Sequence, residues 1–125
     1  MKSESEKIPE EKLREKLEPF PPEFQELVWT YRRAPSPEVL AKIVNGIMDY
    51  HGGEVFREQH AQKQDAVRLV EDLAFDSLTL VDLSFQAEEF IGVVIQLEDF
   101  PKIKTLGELQ AFLRAKAFPA AGAAC

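Results

Sequence analysis

The chain has 125 residues, enough for one domain with a packed core, and its 45% apolar and 30% charged content argues against wholesale disorder. Fifteen Lys and Arg against 22 Asp and Glu leave a net charge of −7, which disfavours non-specific nucleic-acid binding and favours basic partners. Apolar runs are short and Cys125 is the one cysteine, so we expect a cytoplasmic, monomeric protein with no membrane insertion, secretory signal, disulfide framework or Cys-based zinc site.

Six of the eight prolines lie within the first 37 residues, at Pro9, Pro19, Pro21, Pro22, Pro35 and Pro37. Proline lacks a donor N–H and resists helix interiors, so residues 1–35 read as an extension holding only short helices, over 10–18 and 23–33. Its first several residues are expected to be mobile. The second helix gathers Phe24, Leu27, Val28 and Tyr31 on one side, with Trp29 beside them. This apolar area either packs on the rest of the chain, with Leu78, Val81 and Phe85 as one candidate seat, or docks a dedicated partner. Packing is the preferred reading.

Ser36-Pro37-Glu38 marks a helix start: serine caps, proline fits the first turn, and the acid suits the positive end of the dipole. Val39, Leu40, Ile43, Val44, Ile47 and Met48 keep a helical period until His51-Gly52-Gly53 stops it. Residues 52–70 read as a long connection with a turn of helix near 56–62. A second helical pattern runs from Ser77 to Ile91 and ends at Gly92; a short element near 97–100 is cut by Pro101. Thr105-Leu106-Gly107-Glu108 is a capping box opening a helix that carries Leu106, Leu109, Phe112 and Leu113 inward. Val93-Val94-Ile95 is the one strand-like run and is too short to pair alone. The fold class is all-α: a bundle of three longer helices and one short one over 36–116, preceded by the helical extension and followed by a flexible Ala-rich tail over 117–125.

Residues 69–101 carry eight acids and no base, so nearly all the net charge sits in this block. At about 100° per residue, Leu80, Leu83, Ala87, Phe90 and Ile91 share one arc of the 77–91 helix. Leu78, Val81 and Phe85 fall opposite, flanked by Asp82, Glu88 and Glu89. A helix in a small bundle buries one such arc. The uncharged arc should face the core, leaving the second as an apolar contact surface ringed by carboxylates, unless the extension covers it. Ser77 stands at the start of this helix, with Asp76 as the expected N-cap and the serine hydroxyl turned to solvent. Taken alone, Asp76-Ser77-Leu78 says no more than that a helix begins.

The surroundings say more. Glu71-Asp72-Leu73 precedes the tripeptide, Leu80-Val81-Asp82-Leu83 follows it, and then come Glu88-Glu89, Ile95 and Thr105. From residue 70 to about 113 this run resembles an acyl carrier protein, and with 37–51 as the first helix the resemblance covers about two thirds of the chain. It implies a four-helix bundle whose Ser77 receives a 4′-phosphopantetheine arm from coenzyme A by a phosphopantetheinyl transferase. The arm's thiol then holds acyl groups as thioesters for partner enzymes of fatty-acid, polyketide or specialised lipid biosynthesis. By the same resemblance, Asp76 and Leu78 flank the modified serine. Val81, Asp82, Phe85, Glu88 and Glu89 match the helix that docks on basic patches of acyl-transferring, elongating or synthase enzymes. Such a protein is not itself an enzyme.

Departures from the family pattern point to a specialised carrier. Ala74-Phe75 stands where the family commonly begins with Gly, residues 52–66 look long, and the extension is additional. Ser84 and Ala87 are small, which either leaves room for an acyl chain or is filled by Phe85 or Phe90. A serine hydrolase is disfavoured, because only His51 and His60 are available as bases, both are expected in loops, and no Gly-x-Ser-x-Gly elbow exists. Their spacing with Glu54 and Glu58 matches no strong metal motif, and Cys125 is not placed for prenylation. The alternative of a different class is a carrier-like helical module that is never modified and only binds proteins.

Overall fold

The computed structural model describes residues 9–119; the expected mobile leader, most of the Ala-rich tail and Cys125 lie outside them. The extension forms two short helices, α1 (Glu10–Leu17) and α2 (Pro22–Arg33), punctuated by its prolines. Pro9 and Pro21 occupy the N-cap positions and Pro22 the first turn, where a missing N–H costs nothing. Leu13 and Leu17 of α1, and Phe24, Val28 and Tyr31 of α2, are buried at three- and four-residue spacing. Between them Phe20 stacks on Phe24 and Tyr50, with centroids 4.5 and 4.3 Å apart, and meets Phe90 edge-on at 5.4 Å. The extension therefore packs on the bundle, and its seat is Phe90 and Tyr50 rather than Leu78, Val81 and Phe85.

The main helix of the bundle, α3 (Pro37–Lys63), starts where Ser36 Oγ accepts the Val39 N–H at 3.2 Å. Leu40, Ile43, Val44, Ile47 and Met48 form its buried stripe. Gly46 presents bare backbone to Phe24, and a Cβ there would overlap the ring. The expected stop at Gly52-Gly53 is a break: Gly53 takes φ +55° and ψ −132°, and the helix then resumes to Lys63. The long connection expected over 52–70 is thus mostly helical. Its periodic signal is thin because Phe56 is the one buried side chain beyond the break, helped by His60 stacked at 5.1 Å and by an Arg57–Asp49 ion pair at 2.7 Å across it.

A 3₁₀ turn (Gln64–Ala66) leads into buried Val67 and Leu69. This segment is tied to the start of the last helix by Leu69 N–H to Lys104 O at 2.9 Å and Leu106 N–H to Val67 O at 2.8 Å. Next comes α4 (Ser77–Gln86), which widens into a π-helical turn (Ala87–Ile91) before Gly92 closes it at φ +83°. A short 3₁₀ helix (Leu97–Lys102) contains Pro101, and α5 (Leu106–Ala117) completes the bundle. The α5 capping box forms as expected: Thr105 Oγ1 accepts the Glu108 N–H, and Glu108 Oε1 accepts the Thr105 N–H, both at 3.1 Å. Phe118, just past α5, meets Tyr31 of the extension edge-on at 6.4 Å.

The described residues are all-α, three longer helices and one short one with the helical extension against them; their one β contact is an isolated Arg68–Thr105 bridge. Residues 93–95 alternate buried and exposed but pair with nothing as a strand. No helix among the described residues is long and apolar enough to cross a membrane.

Candidate functional site

The approach to α4 is fastened on both sides. Asp72, its side chain only 7% exposed, pairs with Lys63 at 2.9 Å and Arg68 at 3.2 Å and accepts the Arg68 N–H at 2.8 Å. Arg68, then Lys63, hold its carboxyl well below the usual carboxylate range. Ala74 follows in the left-handed region, at φ +60°, a conformation that glycine adopts without strain. Phe75 is buried: its ring lies 3.7 Å from where a Gly52 Cβ would stand and edge-on to His51 at 6.3 Å. Between these anchors and the helix, Asp76 and Ser77 emerge at the surface.

Asp76 is the N-cap, its Oδ1 accepting the Thr79 N–H at 2.9 Å. Thr79, through its N–H and then its hydroxyl, lowers the Asp76 pKa. Ser77 is the first helical residue and exposed, and its hydroxyl takes no part in the hydrogen bonds among the described residues. By contrast Ser84, two turns further along α4, is half-buried and donates to Val81 O at 2.6 Å. Ser77 thus offers a hydroxyl at the partly positive end of a helix, open to an enzyme that would esterify it, with room outside the fold for a bulky phosphodiester. That arrangement fits a tethered phosphopantetheine.

Further along α4, the two arcs separate as the angles require. Leu83, Ala87, Phe90 and Ile91 are buried and Leu80 is half-buried. Leu78 is 77% exposed and Phe85 56%, with Val81 half-buried between them and Asp82 and Glu88 at the surface. Glu89 stands apart from the other acids: its side chain is 19% exposed and paired with Lys16 of α1 at 3.2 Å. The π-helical turn beginning at Ala87 contributes, since it inserts an extra residue per turn and shifts the register set by the preceding helix. Nothing in the apolar periodicity announces that turn. Of the two bulky neighbours considered for the space beside Ala87, Phe90 points inward and Phe85 outward.

Both histidines sit on α3 rather than in loops, since the helix resumes beyond Gly53. His51 Nε2 donates to Gln86 Oε1 at 2.8 Å, linking α3 to α4, and His60 lies on Phe56. Neither is engaged with Ser77. Among the described residues no group of three or more His, Cys, Asp or Glu is arranged to hold a metal.

No family model matches the chain. Over 79 residues it is 30% identical to the acyl carrier protein of Thermotoga maritima, spanning 63% of this chain and 91% of the relative. Over 75 residues it is 31% identical to the meromycolate extension acyl carrier proteins of Mycolicibacterium aurum and Mycolicibacterium smegmatis, spanning 60% of this chain and 69% and 68% of theirs. These relatives are carrier proteins by name rather than catalysts. This chain belongs to the acyl carrier protein family.

Proposed function

We propose that the protein carries acyl groups on a 4′-phosphopantetheine arm joined to Ser77 through a phosphodiester, with residues 36–116 as the carrier module and 1–35 as an added extension. The observation that carries this reading is Ser77 itself, an exposed hydroxyl on the first residue of α4, directly after the capping Asp76. The arm, when attached, supplies a thiol that holds acyl groups as thioesters. The chain's own residues do the rest. Asp76 fixes the helix start so that Ser77 projects outward, and Phe75 and Asp72 hold the incoming loop in place. Leu78, Val81 and Phe85 offer apolar anchors to partner enzymes, among them the phosphopantetheinyl transferase, while Asp82 and Glu88 supply most of the negative field and Glu89, paired with Lys16, a smaller share.

That division suits a protein handled by several enzymes in turn. Clustered like charge speeds encounter with a basic patch more than it tightens the complex, and the exposed apolar side chains set register. Incubation with coenzyme A and a broad-specificity phosphopantetheinyl transferase tests the reading. The protein should gain the mass of one phosphopantetheine and Ser77→Ala none; a well-folded protein that gains nothing would be an unmodified interaction module instead.

A further inference from the structure

The extension reaches the acidic face of α4 with a base. Leu13 and Leu17 of α1 are fully buried, and Arg14 lies over the Trp29 ring of α2 at 5.4 Å, so α1 is fixed in register. From that fixed helix the Lys16 ammonium pairs with Glu89 at 3.2 Å, where the carboxylate is only 19% exposed. A carboxylate so placed feels its counter-ion more than a fully solvated one, because less water stands between them. Arg32 of α2 brings a second base near: with Glu88, Glu89 and Lys116 it lines another cleft beside the same carboxylate.

The apolar side chains of this face are left open. A cleft of about 410 Å³ lies between Lys16, Pro19 and Phe20 of the extension and Asp82 and Phe85 of α4. The extension thus stops short of the outer arc, and Leu78, Asp82, Phe85 and Glu88 all remain exposed. Asp82 and Glu89 both line the cleft, roughly 10 Å apart along the helix. A partner offering two cations at that spacing meets one open carboxylate and, in place of the second, an ammonium.

We propose that the extension is a partner filter, with Lys16 as its specificity-determining residue. Lys16 takes the place at Glu89 that a partner's cation would occupy, and it leaves the apolar anchors untouched. The surface therefore fits an enzyme that seats Leu78 and Phe85 in an apolar patch and sets a cation against Asp82. It turns away one that depends on a second cation two turns further along. The inference rests on the Ser77 reading, since it concerns the enzymes that handle the arm, and it gives the extension a part in choosing among them.

The test measures kcat/KM for modification of the full-length protein by a broad-specificity phosphopantetheinyl transferase, with Lys16 and Glu89 varied singly and together. At low ionic strength Lys16→Gln should raise kcat/KM by roughly twofold to fivefold, the size expected for one partly exposed ion pair. The gain should fade as salt is added. Glu89→Gln should lower kcat/KM by less than about twofold in the wild-type background and by roughly twofold to fivefold in the Lys16→Gln background. Lys16→Arg, which keeps the charge, should keep the wild-type pattern. Thermal midpoints of the same variants separate this from a structural role, which would move stability and leave the two Glu89→Gln effects equal. Equal effects in both backgrounds, or no gain in Lys16→Gln, would overturn the filter while leaving the Ser77 reading intact. No mass gain on the wild-type protein would overturn the Ser77 reading and this inference with it.

Discussion

Phe24 of the extension rests directly on Gly46 of α3, so that the ring occupies the space a side chain would otherwise fill. The contact joins the extension to the longest helix of the bundle without an intervening layer. Gly46→Ala should force the ring out and cost about 1–3 kcal/mol, the usual penalty for overpacking a tight contact. Urea denaturation of the full chain measures it. An unchanged midpoint would mean that Phe24 does not sit there.

Ala74 holds a left-handed backbone, at φ +60°, with its side chain at the surface. Relief of that strain by glycine is worth about 1–2 kcal/mol, against a loss of about 0.4–1 kcal/mol from the more flexible unfolded chain. Ala74→Gly should therefore stabilise the protein, by up to about 1.6 kcal/mol, in chemical denaturation. A loss of stability would contradict the backbone geometry ahead of Ser77.

Asp72 predicts a pH dependence of definite sign. Its folded pKa lies below its unfolded value, first through Arg68 and then Lys63. The stability it contributes is complete above the unfolded value, near about pH 4, and drains away as pH falls towards the folded one. Asp76, lowered by Thr79, and Glu108, lowered by the N–H groups of Lys104 and Thr105, act in the same direction. Thermal melts from neutral to acid pH should show a falling midpoint. Asp72→Asn should lower the neutral midpoint and flatten the acid slope; a parallel curve would show that Asp72 is not the group responsible.

Leu78 and Phe85 are large apolar side chains that the fold itself does not use. Replacing either by Ala should change stability by no more than about 0.5 kcal/mol. The same changes should lower kcat/KM for transferase modification, the mark of a surface kept for partners. Asp82→Asn and Glu88→Gln should lower kcat/KM most at low salt, because exposed charges are screened as ionic strength rises. Glu89→Gln should do less, since Lys16 already neutralises that carboxylate.

What the sequence revealed was whatever short-range chemistry decides. The Asp76 cap, the Thr105–Glu108 box and the proline-punctuated extension helices each depend on residues within one turn of one another, and the two glycines marked an interruption of α3, though not that the helix resumes. The two arcs of α4 followed from helical angle alone, and with them the exposure of Leu78 and Phe85. Long-range packing was not legible. Nothing near Phe24 says that its ring lands on Gly46, and nothing near Lys16 says that it reaches Glu89. The π-helical turn and the helix after Gly53 escaped for a related reason: each is held by contacts made elsewhere in the fold, and the local apolar period does not record them.

The account turns on which serine is modified. Ser77 stands exposed at the head of α4, whereas Ser84 is half-buried and donates to Val81 O. Tandem mass spectrometry of the transferase-treated protein, with fragmentation across α4, distinguishes them directly. We expect the phosphopantetheine on Ser77 and an unmodified Ser84; an adduct on Ser84, or none on the folded protein, would contradict the proposed function.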